Sequence, residues 1–141
     1  MPSARSGRVA GVVLAAGSSS RLGANKLLLT LGRETVVRRA ARQAVEAELS
    51  PVVVVLGFEA EQVEAALEGL TVEPVVNPDY AVGLNASLRV GIAQVPPDCD
   101  AALVLLADMP LVTARMLAQM VSRFRAGREP LVVSLYGDVP A

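Results

Sequence analysis

The sequence predicts a three-layer α/β fold, with helices covering both faces of a mostly parallel sheet. Three observations predict it. Apolar runs rich in Val and Leu alternate along the chain with segments of helical period. Those runs are apolar at consecutive positions, as strands of a sheet covered on both faces must be. Finally, 52% of the residues are apolar but only 3% aromatic, so the core is aliphatic. A chain of 141 residues buries roughly two-thirds of its unfolded surface, enough for such a core.

The elements follow in order. "RVAGVVLA" reads as the first strand, and "AAGSSSRLGANK" as the loop behind it. In "ETVVRRAARQAVEAEL", Val36, Val37, Ala40, Ala44 and Val45 fall near helical spacing, while Arg38, Arg39, Arg42 and Glu46 form a polar face that reads as solvated. Pro51 opens "PVVVVLG", almost pure Val and so a second strand. "EAEQVEAALEGL" is a short amphipathic helix ending near Gly69. "TVEPVVN" is a third strand, and Pro74 puts it at an edge or a bulge. "GLNASLRVGIAQV" is a helix stopped by Pro96 and Pro97. "DAALVLLAD" is the fourth strand, Thr113 caps the helix "ARMLAQMVSRFRA", and "PLVVSLYG" is a fifth strand. Met116 and Met120 are spaced as core residues of that last helix. The chain reads as one domain over 1–141 that stops just past a strand, at "YGDVPA", as if its carboxyl-terminal part were cut short.

Composition excludes several classes of function. Thirteen basic and fourteen acidic residues give a net charge of −1, so no general field draws nucleic acid or an anionic membrane. Any anion site must be local. Without histidine, His-dependent triads and His-ligated metals are out. The single cysteine, Cys99, forms no internal disulfide and reads as an inert loop thiol. A reducing cytoplasm is the expected home. Arg5, Arg8 and "VAGVVLAAG" have the outline of a secretion signal, but the apolar run is short and the fold needs it as a strand. No run approaches the ~20 apolar residues of a membrane span.

Ligands in parallel sheets bind beyond the carboxyl ends of the strands. That rule gathers the first loop, "NPDYAVG" and "ADMP" along one rim. In the first loop Gly17 and Gly23 allow tight turning and close backbone approach, and Ser18, Ser19 and Ser20 add hydroxyls. Arg21 brings a planar fork suited to phosphate and Lys26 a mobile charge. The pattern is neither a Walker A loop nor the Rossmann G-x-G-x-x-G. Composition leaves two readings, a polyphosphate cradle and a solvated surface loop. Asp108 ends a buried strand and reads as an oxygen ligand for a magnesium ion that bridges phosphates. Its alternative is an aspartate opening the turn before Pro110. In the third segment Gly83 permits close approach and the following helix offers free N–H groups, with Ser87 in its first turn. Asn85 reads as a cap of that helix, and Arg89 as either a ligand contact or an exposed face. Asp138 reads as a chain-end turn residue rather than an acidic ligand.

The stretches "VLAAGSSSRLGANKLLL", "NPDYAVGLNASLRVGI" and "LLADMPLV", in this order, resemble the MobA-like nucleotidyltransferase family. Within it they are most similar to the molybdenum cofactor cytidylyltransferases, the CTP-using branch. S-L-R-x-G separates this branch from its relatives, and Ala16 stands where the guanylyltransferase branch has a second glycine. The resemblance implies a Rossmann-like fold of the nucleotide-diphospho-sugar-transferase type. It implies transfer of CMP from CTP to the terminal phosphate of molybdopterin, with Mg²⁺ and release of pyrophosphate. Leu14, Ala15, Ala16, Gly17, Ser18, Gly23, Asn77, Gly83 and Ser87 would hold the nucleotide. Arg21 and Lys26 would hold the triphosphate and Asp108 the metal. The implied partners are an NTP, a phosphorylated pterin and a molybdoenzyme that receives the product. Alternatives are GTP, a sugar- or alcohol-phosphate acceptor, and a non-catalytic nucleotide- or cofactor-binding module.

Overall fold

The computed structural model describes residues 8–17, 25–109 and 111–126. Six strands and four α-helices are defined among them. The central sheet contains β1 (Val9–Ala15), β4 (Val52–Leu56), β5 (Glu73–Val76) and β6 (Ala101–Leu106) in the order β5-β4-β1-β6. All its pairings are parallel, with Val13 beside Val54 on one side and Leu105 on the other. Every residue of β1 and β4 is buried, which is why both read as unbroken apolar runs. Pro74 pairs with Val54 from β5, at the outer end of the strand order, where its missing N–H costs no ladder bond. The predicted fifth strand lies outside the described residues.

Successive residues of a strand point to opposite faces, and the core divides accordingly. Val9, Val13, Ala15, Val52, Val54 and Leu56 belong to a large cluster with α1 (Val36–Glu46), α2 (Ala60–Ala65) and α4 (Ala114–Ala126). Val12, Leu14, Val53 and Val55 form a smaller one, against which Leu88 and Val90 of α3 (Leu84–Ala93) pack. Helix α3 comes down on the sheet at Gly91, where a Cβ would meet Val12 Cγ1 at 2.5 Å and Val55 Cγ2 at 2.9 Å. The glycine of S-L-R-x-G is thus a close-packing residue.

The ends of the helices follow local chemistry. Thr35 Oγ1 accepts from Arg38 N at 3.2 Å to open α1, and Thr113 Oγ1 accepts from Met116 N at 3.2 Å to open α4, as the sequence predicts. The buried Gln43 side chain of α1 accepts from the first amide of α4, Ala114 N–H, and ties the two helices together. In α4 the buried positions are Leu117 and Val121, and Met116 and Met120 are half-buried beside them.

Two expectations are corrected. The segment before α1 is not helical from Glu34. Instead β2 (Thr30–Leu31) and β3 (Glu34–Thr35) form a small antiparallel hairpin across Gly32 and Arg33. The arginines of α1 are not simply solvated. Arg38 donates to the carbonyls of Ala66 (3.1 Å) and Glu68 (2.6 Å), and Arg42 bridges Glu34 of the hairpin and Glu46 of its own helix. Arg39 is half-buried. The hydrogen bond from Arg42 holds the Glu34 carboxyl below its ordinary range. At the opposite end of the sheet, Arg8 pairs with Asp98 at 2.7 Å and donates to Ser50 O at 3.2 Å. Burial pushes the neighbouring Cys99 thiol up despite the Arg8 charge, in keeping with an unreactive thiol.

Candidate functional site

The carboxyl ends of β1, β4, β5 and β6 share one rim, and most of the described candidates stand there. Past β1 the chain turns through Ala16 and Gly17. The Ala16 carbonyl accepts from Phe58 N at 3.1 Å, just beyond β4. A trans peptide sets its C=O and N–H on opposite sides, so the Gly17 N–H faces away from that anchor. Past β6, Ala107 N donates to Leu14 O at 3.0 Å. This bond extends the β1–β6 pairing and delivers Asp108, exposed, at the level of Ala15 to Gly17.

Past β5, Asn77 is 2% exposed and its N–H donates to Leu56 O at 2.7 Å. Its side chain accepts from Asp79 N at 2.9 Å and donates to Ser87 Oγ at 3.0 Å. These bonds bind the end of β5, the turn after it and the first turn of α3 into one unit. Helix α3 starts at Gly83, not at an asparagine cap. Gly83 has φ 141° and ψ 177°, a conformation open only to glycine, and no side chain caps the helix. Asn85 lies inside the helix and is exposed, which corrects its expected capping role, and Arg89 is exposed as well. The uncapped first turn leaves backbone N–H groups and the positive end of the helix dipole at the rim.

A pocket of about 200 Å³ opens between these parts, lined by Leu14, Ala16, Gly17, Tyr80, Gly83, Leu84 and Ser87. Five of the seven were expected from sequence. Tyr80 and Leu84 were not. Tyr80 makes a tilted contact with Phe58, ring centres 6.3 Å apart. The chain has only two Phe and two Tyr, so an aromatic in a rim loop was the available signal. Such a wall, largely apolar with a few backbone and hydroxyl groups, suits a flat, partly polar ring.

Lys26 begins a single 3₁₀ turn, Lys26–Leu28, and is exposed. Beside it Asn25 is buried and caps that turn by accepting from Leu27 N at 3.0 Å, while its amide nitrogen has no hydrogen-bond partner. Ser18, Ser19, Ser20, Arg21 and Gly23 lie outside the described residues, as do Pro110 and Asp138. Among the described residues no three acidic or sulfur ligands gather. A lone exposed carboxylate such as Asp108 fits the mode in which magnesium takes one or two protein oxygens and completes its shell with phosphates and water. No described helix is long and apolar enough to cross a membrane.

A covered parallel sheet whose carboxyl rim carries this pocket defines a Rossmann-like protein of the nucleotide-diphospho-sugar transferase type. The chain belongs to the MobA-like NTP transferase domain family, whose pattern it matches over residues 11–140. It is similar to the bifunctional protein GlmU of Rubrobacter xylanophilus, 36% identical over 82% of this chain and 25% of that protein. It is also similar to a probable molybdenum cofactor guanylyltransferase of Opitutus terrae, 32% identical over 98% of this chain and 66% of the other. Among solved structures it superposes on Rv0371c of Mycobacterium tuberculosis with TM-score 0.75 and 34% identity, covering 84% of this chain and 61% of that one. A manganese complex of Rv0371c superposes as well, with TM-score 0.72. The chain spans about a quarter of the length of the GlmU relatives that it matches.

Proposed function

We propose that this chain holds the nucleotide in a nucleotidyltransferase that moves CMP from CTP to the terminal phosphate of a phosphorylated pterin, molybdopterin, and releases pyrophosphate. The observation that carries this reading is the pocket of Ala16, Gly17, Gly83 and Ser87 on the same rim as Asp108. An acceptor phosphate oxygen forms a bond to the α-phosphorus as the bond from that phosphorus to the β-phosphate oxygen breaks. An ionised phosphate nucleophile needs no general base, so a chain without histidine is adequate. The pocket takes the base and ribose, and the Gly17 amide and the first turn of α3 bring N–H donors to anionic oxygens. Lys26, with Arg21, meets the triphosphate. Asp108 holds a divalent ion, Mg²⁺, which when bound neutralises charge on the phosphates. The product suits delivery to a molybdoenzyme, and the expected setting is the cytoplasm.

The Opitutus terrae relative, named as a guanylyltransferase, favours GTP as a second reading. Ala16, in place of a second glycine, favours CTP. Calorimetry with Mg·CTP and Mg·GTP separates them: tighter CTP is expected, and tighter GTP reverses the base assignment. Asp108→Ala is expected to remove the metal dependence of binding while leaving the melting temperature unchanged. Binding with the same metal dependence defeats the role given to Asp108.

A further inference from the structure

The geometry points to Asn77 as a positioning residue that makes Ser87 a hydrogen-bond donor into the pocket, so that the pocket selects a base presenting an acceptor there. This inference rests on the nucleotide reading above and deepens it.

The polarity follows from one fixed group. A backbone N–H only donates, so the side-chain atom 2.9 Å from Asp79 N is the carbonyl oxygen of Asn77. The amide NH₂ must then face Ser87, and it donates to Oγ at 3.0 Å. Turned over, the buried Asn77 would set its NH₂ against the Asp79 N–H, donor to donor, so this orientation is fixed. A serine hydroxyl that accepts such a bond keeps its single proton for another partner. No described protein atom takes that proton, and Ser87, 3% exposed, lines the pocket. The ligand is left as its acceptor. Cytosine offers two adjacent acceptors, O2 and N3, on its ring edge. Residue type at 77 sets the sign. A carboxylate there would accept from both Asp79 N and Ser87, consuming the hydroxyl proton and presenting lone pairs to the ligand.

The test uses the full chain and compares calorimetric affinities for Mg·CTP and for Mg·tripolyphosphate, which has no base. Ser87→Ala and Asn77→Ala are each expected to weaken CTP about tenfold and to leave tripolyphosphate within about twofold. The double variant is expected to bind CTP no more weakly than Ser87→Ala alone, since both act through one bond to the base. Losses that multiply in the double variant, or equal losses for tripolyphosphate, make Asn77 a brace only and overturn the inference. If Asn77→Ala does not fold, Asn77→Asp at pH 8 keeps the shape and takes the hydroxyl proton. It is expected to weaken CTP about tenfold, and unchanged affinity overturns the inference. Failure of the unsubstituted chain to bind CTP shows before any substitution is made. It overturns the nucleotide reading together with this one.

Discussion

The two faces of the sheet are packed by different means. On one, α1, α2 and α4 build the larger cluster, with fully buried Val37, Val63 and Leu117 at its centre and with Arg38, Arg42 and Gln43 tying its elements together. On the other, α3 alone among the described helices meets a smaller cluster, held close by the absence of a side chain at Gly91. The pocket is on this second face, lined by the start of α3 and the end of β1. Among the described residues the larger core cluster lies on the first face, and the pocket opens on the face with the smaller one. Substitutions on the two faces should therefore part company, the first acting on folding and the second on binding.

Leu117→Ala tests the thick face and carries the largest expected effect. Deleting a fully buried leucine should cost about 3 kcal/mol in chemical denaturation, with CTP affinity of the folded molecule unchanged. A matching loss of affinity would couple the two faces. Gly91→Ala tests the thin face. Its Cβ would press on Val12 and Val55, both β-branched and fully buried. Helix propensity offsets part of that strain, so about 1–2 kcal/mol of stability should be lost. CTP affinity should fall about tenfold, because the first turn of α3 moves with the helix. Wild-type affinity in this variant would separate the pocket from the packing distance.

The smallest effect is expected at Glu34→Gln, on the thick face again. Arg42 holds the Glu34 carboxyl below its ordinary value, so the folded state binds this proton less readily than the unfolded chain does. The resulting stability is present above the unfolded value and is lost as pH falls through the lower, folded one. The group is partly exposed, and the contribution at pH 7 should be under about 1 kcal/mol. Melting curves of the wild type and the variant should differ at pH 7 and converge toward pH 3. A constant gap would assign the effect to shape rather than charge.

Much of this contrast is legible in the sequence, but unevenly. The central strands show as apolar runs because both faces of the sheet are covered, and Pro74 marks its own strand as an edge. Thr113 gives away the start of α4. The hairpin of β2 and β3 escapes because two residues per strand leave no period to detect. With it goes the Arg42–Glu34 pair, whose separation of eight residues exceeds the three or four over which side chains of one helix meet. At the rim, S-L-R-x-G and the first loop are visible as patterns, but the bond between Asn77 and Ser87 is not. Its partners are ten residues apart, in two elements that meet only when the turn at Gly83 folds back. Asn85 attracts a capping assignment because asparagine favours caps, whereas the actual turn needs a backbone that only glycine adopts.

Gly91 stands four residues beyond Ser87, about 6 Å along the helix axis, and has no contact with the pocket. Yet a Cβ there would meet Val12 and Val55 of the sheet, and if the prediction for Gly91→Ala holds, this residue sets the width of the cleft above it. Selection for a different ligand can act on such a gauge without touching a contacting residue. A comparison of homologues restricted to pocket-lining positions would leave out such a residue.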